Sequence, residues 1–264
     1  MIGLGVGLAA GRQTSALLTR EAFIVDVLAI AGTARLLMLP RTTDTTTSAD
    51  ESGAGHAITH NVTAAGRLTA QGNGALLSYA SASSQYTDTP DAADLSFGNG
   101  TTDQPFTLAF FGSVTNTAAE RCLISKFNAA GSREYRLNVA ADDTLVCLIA
   151  DDSVPAQPFV QSTAAIAMGA PSLIAATYSG AGGASAHLGL SLYQNGAALA
   201  ATQTQAATYV AMENLGPAFE IGSRTAHTAN FLDGSVGMVL ACQKALTAAE
   251  HATLYAMCRR FFGA

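Results

Sequence analysis

From residue 75 onward the chain is a succession of short apolar runs rich in β-branched and aromatic residues, each closed by Gly, Asn, Asp, Ser or Thr. Strands bounded by turn formers have this texture, and a long series of them without helical spacing predicts an all-β sandwich or barrel. ALLSYA (75–80), FTLAFFGSV (106–114), CLISKF (122–127) and SLIAATYS (172–179) are such runs. EYRLNVAADDTLVCLIAD (134–151) reads as a hairpin: Tyr135, Leu137 and Val139 point one way, Arg136 and Asn138 the other, and Asp142 and Asp143 make the turn. That alternation places one face in a core. In LGLSLYQNG (188–196), Asn195 and Gly196 are the two left-handed residues that a type I′ hairpin turn demands. FEIGS (219–223) and LDGSVGMVLACQKAL (232–246) complete the series. The period then changes, with Leu254, Met257 and Phe261 on one helical face behind the capping box Thr247-Ala-Ala-Glu250, so a short C-terminal helix is expected over 247–261.

A chain of 264 residues is long enough to bury a large single core without metals or disulfides. Only 12% of it is charged against 49% hydrophobic, which describes a neutral, small-residue surface suited to packing against other proteins. The net charge of −6 repels a phosphate backbone, so no nucleic-acid partner is expected. Cys122, Cys147, Cys242 and Cys258 are widely spaced, which excludes a zinc knuckle or a C-x-x-C redox motif; they read as buried thiols, with a Cys122–Cys147 bridge as the alternative.

Residues 1–33 read as an N-terminal arm and connector ahead of a domain spanning 34–264. The opening MIGLGVGLAAGR has no basic stretch before its apolar run, and Gly3, Gly5, Gly7 and Gly11 weaken any helix there. It is expected to be an extended arm, with Ile2, Leu4, Val6 and Leu8 as the side chains that would anchor it in a neighbouring subunit. In the connector, Phe23, Val25, Val27 and Leu28 suit a strand or a short helix, and the extended form is the one expected. Asp26 and Arg35 break the apolar stretch 22–40, so no membrane span is expected.

The order of the motifs resembles the laminin-G-like domains of the concanavalin-A-like superfamily. LLMLP with SGAGH (52–56), GALLSYASASSQYTDTPDAADLSF (74–97), PFTLAFF (105–111), SLIAATYSG (172–180), LSLYQNGAAL (190–199) and FLDGSVGMVLACQKALTAAEHATLY (231–255) follow the family's sequence of segments. The resemblance implies a two-sheet antiparallel jelly roll. It also implies calcium or sugar at the sandwich edge, yet the positions that would carry the calcium carboxylates hold Tyr79-Ala80-Ser81 and Ser84-Gln85-Tyr86. No cofactor and no metal ligands are therefore expected, although calcium remains the ion that the family would take. Asp88, Asp91 and Asp94 nearby read as turn formers before they read as a different metal site. There is no tryptophan, which weakens a sugar platform.

Glycosidases on this scaffold need paired carboxylates at alternate strand positions. Glu120, Glu134, Glu213 and Glu220 are isolated and read as exposed loop or strand-edge charges. His56 and His60 have no metal-binding spacing, and neither G-x-S-x-G nor a phosphate loop occurs. The sequons at Asn61 and Asn99 matter only in a secreted eukaryotic chain. No catalytic residue is assigned. The sequence thus suggests a non-enzymatic structural or binding module, such as a bacteriophage virion component that assembles with itself as a homo-oligomer or with other virion subunits in the host cytoplasm. The alternative is a secreted, calcium-dependent, carbohydrate-binding adhesin.

Overall fold

The computed structural model describes residues 17–115 and 118–264 and folds them as two antiparallel sheets with a pair of helices over one of them. The first strands are β1 (Ala34–Met38), β2 (Thr47–Ser48), β3 (Ile58–His60), β4 (Leu68–Gln71), β5 (Gly74–Tyr79) and β6 (Thr87–Thr89). The central ones are β7 (Phe106–Val114), β8 (Arg121–Phe127), β9 (Arg133–Val139), β10 (Leu145–Ile149), β11 (Phe159–Ser162) and β12 (Ser172–Tyr178). Then come β13 (Leu190–Gln194), β14 (Ala197–Ala198), β15 (Ala201–Thr204), β16 (Phe219–Ile221) and β17 (Gly234–Cys242). One sheet runs β14-β13-β12-β7-β17-β5-β4, with β1 also on β17, and the other runs β15-β11-β10-β9-β8-β16-β6-β3-β2. This is the expected jelly-roll sandwich.

The first sheet is apolar on both faces. Along β17, Val236, Val239 and Ala241 enter the core between the sheets, while Met238, Leu240 and Cys242 enter a second core on the outer face. β7 divides in the same way, with Phe106, Leu108 and Phe110 inward and Ala109 and Phe111 outward. Such strands read as continuous apolar runs because both faces must be covered. The cover is α1 (Arg20–Ala31) and α2 (Ala248–Phe262).

Here the structure corrects the expectation of an extended connector. Residues 20–31 form a helix whose first turn is capped by Thr19 Oγ1, accepting from Ala22 N at 3.2 Å. Phe23, Val27 and Ala31, spaced i, i+4, i+8, are completely buried, and Phe23 stacks on Phe261 at 4.3 Å between centroids. Local spacing left strand and helix open; the need to cover the outer sheet face decides for the helix. The C-terminal helix forms as expected: Thr247 Oγ1 accepts from Glu250 N at 3.3 Å, and Thr247 N donates to Glu250 Oε2 at 2.8 Å.

The type I′ turn is present, with Asn195 and Gly196 at φ 52° and 78°. A Cβ at Gly196 would approach Ala252 Cα to 2.7 Å, so the hairpin tip also rests on α2. All four cysteines are buried and unbridged. Cys122 lies on β8 and Cys147 on β10 with β9 between them, about 10 Å apart at ordinary strand spacing and beyond disulfide reach.

Two histidines are held neutral inside the fold. His60 sits between Ser48 Oγ at 3.1 Å and Thr87 Oγ1 at 2.7 Å. His251 meets Thr177 Oγ1 at 2.9 Å and stacks on Tyr193 at 3.8 Å. Burial lowers each to a pKa of about 4 from 6.5. A base whose pKa is depressed by folding contributes stability above the unfolded value that is lost as pH falls through the window. His227 is opposite in sign: burial lowers it, but Asp88 and Glu220 outweigh that and raise it. Glu134, whose carboxyl is raised to about 7, also gains stability as pH falls, so the histidine contribution is read as a difference: between pH 6.5 and 4.5 His251→Gln should lose less melting temperature, or gain more, than the unsubstituted chain in circular dichroism melts across a pH series.

Candidate functional site

At one end of the sandwich four loops converge, and each is tied to the others through a carboxylate. Asp103, in the loop before β7, accepts from the hydroxyls of Tyr178 and Tyr209, each at 2.6 Å on Oδ2, and from Met212 N at 2.8 Å on Oδ1. Tyr178 ends β12 and its hydroxyl accepts in turn from Gly182 N at 2.8 Å. Gly183 N donates to Val210 O at 2.8 Å and Gly100 N to Met212 O at 2.7 Å. A single side chain thus joins the segments around residues 100, 180 and 210. Burial pushes the Asp103 carboxyl upward, with the two phenols and the amide pulling the other way.

Asp151 and Glu213 extend the same construction. Asp151 accepts from Val210 N at 2.9 Å and from Ser153 Oγ at 2.8 Å. Glu213 accepts from the main-chain N–H of Asp152 at 2.7 Å and of Ser153 at 2.9 Å. The result is a shallow depression of about 380 Å³ lined by Thr101, Thr102, Asp103, residues 180–183 and Val210. Val210 is 49% exposed. No Lys or Arg lines the depression. Positive φ at Gly100, Gly180, Gly182 and Gly183 lets the main chain line it closely. A ligand here would meet hydroxyls, main-chain groups, the Asp103 carboxylate and the apolar side chains of Ala181 and Val210.

The isolated glutamates serve different ends from those expected. Glu134 is completely buried and Glu220 is 1% exposed, which corrects their reading as exposed charges. Glu134 pairs with Lys126, itself fully buried, and accepts from Leu215 N at 2.9 Å. Burial raises its carboxyl to about 7 against the pull of that ammonium. Glu220 closes a turn by accepting from Ser223 Oγ at 2.6 Å, Ala226 N at 3.0 Å and His227 N at 3.2 Å. Those bonds hold Thr225, Ala226 and His227 at three consecutive left-handed φ values, a costly conformation for non-glycine residues. Glu120 spans Arg136 at 2.9 Å and Arg224 at 3.4 Å, whose guanidinium groups lie over Phe127 at 5.2 and 6.0 Å.

The loop aspartates do not converge. Asp88 faces His227 at 3.2 Å, Asp91 faces Lys126 at 2.8 Å and Asp94 faces His56 at 3.2 Å. Among the described residues no group of three metal-ligating side chains occurs. Tyr79, at a family calcium position, is a core ring whose hydroxyl meets Thr87 Oγ1 at 2.5 Å. Asn61 and Asn99 spend their side chains on local turns, Asn61 with Ser84 O and Tyr86 N, Asn99 with the main-chain N–H of Thr101 and Thr102. The expected interface residues Ile2, Leu4, Val6 and Leu8 lie outside the described residues. Among the described residues no helix is long and apolar enough to cross a membrane. Sequence reasoning missed Asp103, Tyr178 and Tyr209; the Gly-rich stretch 180–183 after TYS was the available signal.

Residues 81–250 match the model of the concanavalin A-like lectin/glucanases superfamily, and the chain belongs to that superfamily. Among solved structures it is similar to the binding domain of botulinum neurotoxin serotype G, with TM-score 0.60 and 13% identity over 85% of this chain and 51% of that one. The serotype D ligand binding domain, in complex with N-acetylneuraminic acid, gives 0.59 and 10% over 88% and 52%. The Trypanosoma rangeli sialidase gives 0.55 and 14% over 83% and 32%. The chain therefore spans about half the length of the toxin domains and a third of the sialidase, and at these identities the likeness is one of fold. No curated protein sequence matches it.

The Asp103 knot sets a measurable cost. Tyr209→Phe, which removes one of two hydroxyls from a half-buried carboxylate, should destabilise by about 1–3 kcal/mol, and Asp103→Ala by more because two phenols and an amide lose their acceptor. Urea unfolding followed by circular dichroism reads both, and equal stability of the Asp103→Ala variant would remove the knot's role.

Proposed function

We propose that the chain is a non-catalytic binding module that holds a neutral, hydroxyl-rich glycan in the depression at the loop end. The observation that carries this is the lining itself: hydroxyls of Thr101 and Thr102, main-chain groups of residues 180–183, the Asp103 carboxylate and the exposed Val210. Thr101 and Thr102 donate their hydroxyl protons to Asn99 Oδ1, leaving oxygen lone pairs free to accept. Sugars offer hydroxyl donors around a C–H face, which matches acceptors beside an apolar side chain. The Asp103 carboxylate, in a lining that holds no lysine or arginine, disfavours an acidic sugar. The superfamily and the sialic acid found on one of the similar toxin domains support glycans as the ligand class.

A non-catalytic role is supported by how the carboxylates are spent. Glu120, Glu134, Glu213 and Glu220 each hold an arginine, a lysine or a turn, and Asp103 and Asp151 tie loops together. A glycosidase needs one carboxyl free to donate a proton and another free to attack or to activate water. For the setting, we propose a virion component, in which the low surface charge suits packing among subunits, or, as the alternative, a secreted adhesin.

A glycan array tests the reading. Neutral oligosaccharides should bind, sialylated ones should bind more weakly, and Val210→Asp should abolish the signal while leaving the melting temperature unchanged. Binding should survive chelation of calcium, since the family's ligand positions are replaced. A blank array, or binding indifferent to Val210→Asp, would sink the assignment to this depression.

A further inference from the structure

We propose that the helix layer is a docking surface for a second copy of this chain, with α1 of each copy lying along α2 of the other. α1 has little to offer water. Its charged residues are Arg20, Glu21 and Asp26, and Arg20 is turned inward onto Leu39 O at 2.5 Å and Glu51 at 2.8 Å. Glu21 and Asp26 are the charged residues of α1 that face water, and the rest of its exposed surface is apolar, the kind of patch that is normally covered. With Phe23, Val27 and Ala31 inward, helical spacing puts Ala22, Val25 and Ala29 outward, and Val25 is 65% exposed. On α2, with Leu254, Cys258 and Phe261 inward, the outward residues are Ala249, Ala252 and Ala256, leading to Arg259 and Arg260. One helix presents a ridge and the other a shallow track.

Within one chain the two helices are antiparallel neighbours. Leu18 N donates to Arg260 O at 3.2 Å at one end, and Lys244 Nζ to Ile30 O at 2.9 Å near the other. A two-fold axis parallel to the helices, above the line between them, lays both ridges in both tracks at once, as an isologous interface requires. Each helix keeps its height along that axis, so Glu21 of one copy meets Arg259 and Arg260 of the other. Within the chain Glu21 and Arg260 have no ion-pair partner among the described residues. A depression of about 440 Å³ lined by Leu17, Ala256, Arg259, Arg260, Gly263 and Ala264, with Arg259 Nε donating to Ala264 O at 2.9 Å, opens at this same end, where it can receive the other copy's first turn. Opposite charges meet there, and the positive end of one helix dipole faces the negative end of another. This complementarity of the surface with itself selects a second copy as the occupant.

Sedimentation velocity over a concentration series of the full chain tests the proposal, with circular dichroism melts confirming that each variant is folded. The expected result is a species of twice the 26.9 kDa chain mass. Val25→Glu and Ala252→Glu should each weaken association by roughly tenfold or more. Glu21→Arg should weaken it too, and combination with Arg259→Glu and Arg260→Glu should restore it. Removal of residues 1–16 should leave the dimer intact. A monomer at every concentration overturns the proposal, as does a dimer indifferent to both glutamate substitutions. Loss of the dimer on removing residues 1–16, with Val25→Glu still dimeric, would assign the contact to the N-terminal segment and likewise overturn it.

Discussion

β17 is the strand on which the rest of the molecule hangs, because neither its edges nor its faces meet water. β7 takes one edge, and the other is shared by β5 at residues 234–236 and β1 at residues 239–242. The change of partner falls at a bulge, where the register slips between Val236 and Met238. Gly237 is the extra residue, and a Cβ there would lie 2.8 Å from Leu76 and 3.0 Å from the Phe262 ring. The bulge therefore does two things: it lets two strands share one edge, and it clears the space into which Phe262 packs. Phe262 stacks on Phe111 at 4.4 Å and meets Phe23 edge-on at 6.1 Å, so both helices and the sheet are joined through one ring.

That rigid sheet is what allows loops to carry a site. Tyr178 is the last residue of β12 and Asp103 lies just before β7, the neighbouring strand, so the β7–β12 ladder fixes the spacing of the first two members of the knot. Tyr209 and Met212 then arrive on a segment with no strand of its own, buried by side chain rather than by ladder. A loop held by few carboxylates is cheap in chain length but sensitive to each of them, since every lost acceptor strands several donors. The sandwich supplies position, and the carboxylates supply order.

The sandwich was legible because strand texture is a local signal: the runs at 106–114, 172–179 and 232–246 contain β7, β12 and β17, and the Asn195-Gly196 turn and the Thr247 capping box formed as read. α1 was not legible from its own residues, because apolar side chains also occupy much of its exposed face and blur the Phe23, Val27, Ala31 stripe. The signal for it lay elsewhere, in runs such as FTLAFF and MVLAC that are too continuous for a sheet with a wet face. The knot at Asp103 was hidden for a different reason. It joins residues 75 and 106 positions apart in the chain, and no spacing rule links an aspartate before one strand to tyrosines after others. Glu134 and Glu220 were misjudged because burial of a lone carboxylate depends on a lysine or a turn that only the fold brings to it.

The two ends of the argument meet in how charge is used. Nearly every interior carboxylate is consumed by a loop, a cap or a cation, so the loop end presents glycine main chain and threonine oxygens with Asp103 as the one charged group in its lining. A surface of that kind gains little from long-range attraction and must rely on shape, which is worth having only if the loops are already in place before the ligand arrives. The knot provides this in advance, because Asp103 orders the segments around residues 100, 180 and 210 whether or not anything is bound. Left-handed glycines at 180, 182 and 183 then let main-chain groups approach where side chains would fill the space. Substituting any of them by alanine would strain the backbone before it touched a ligand, so the recognition surface and the stability of the loop end are one physical problem.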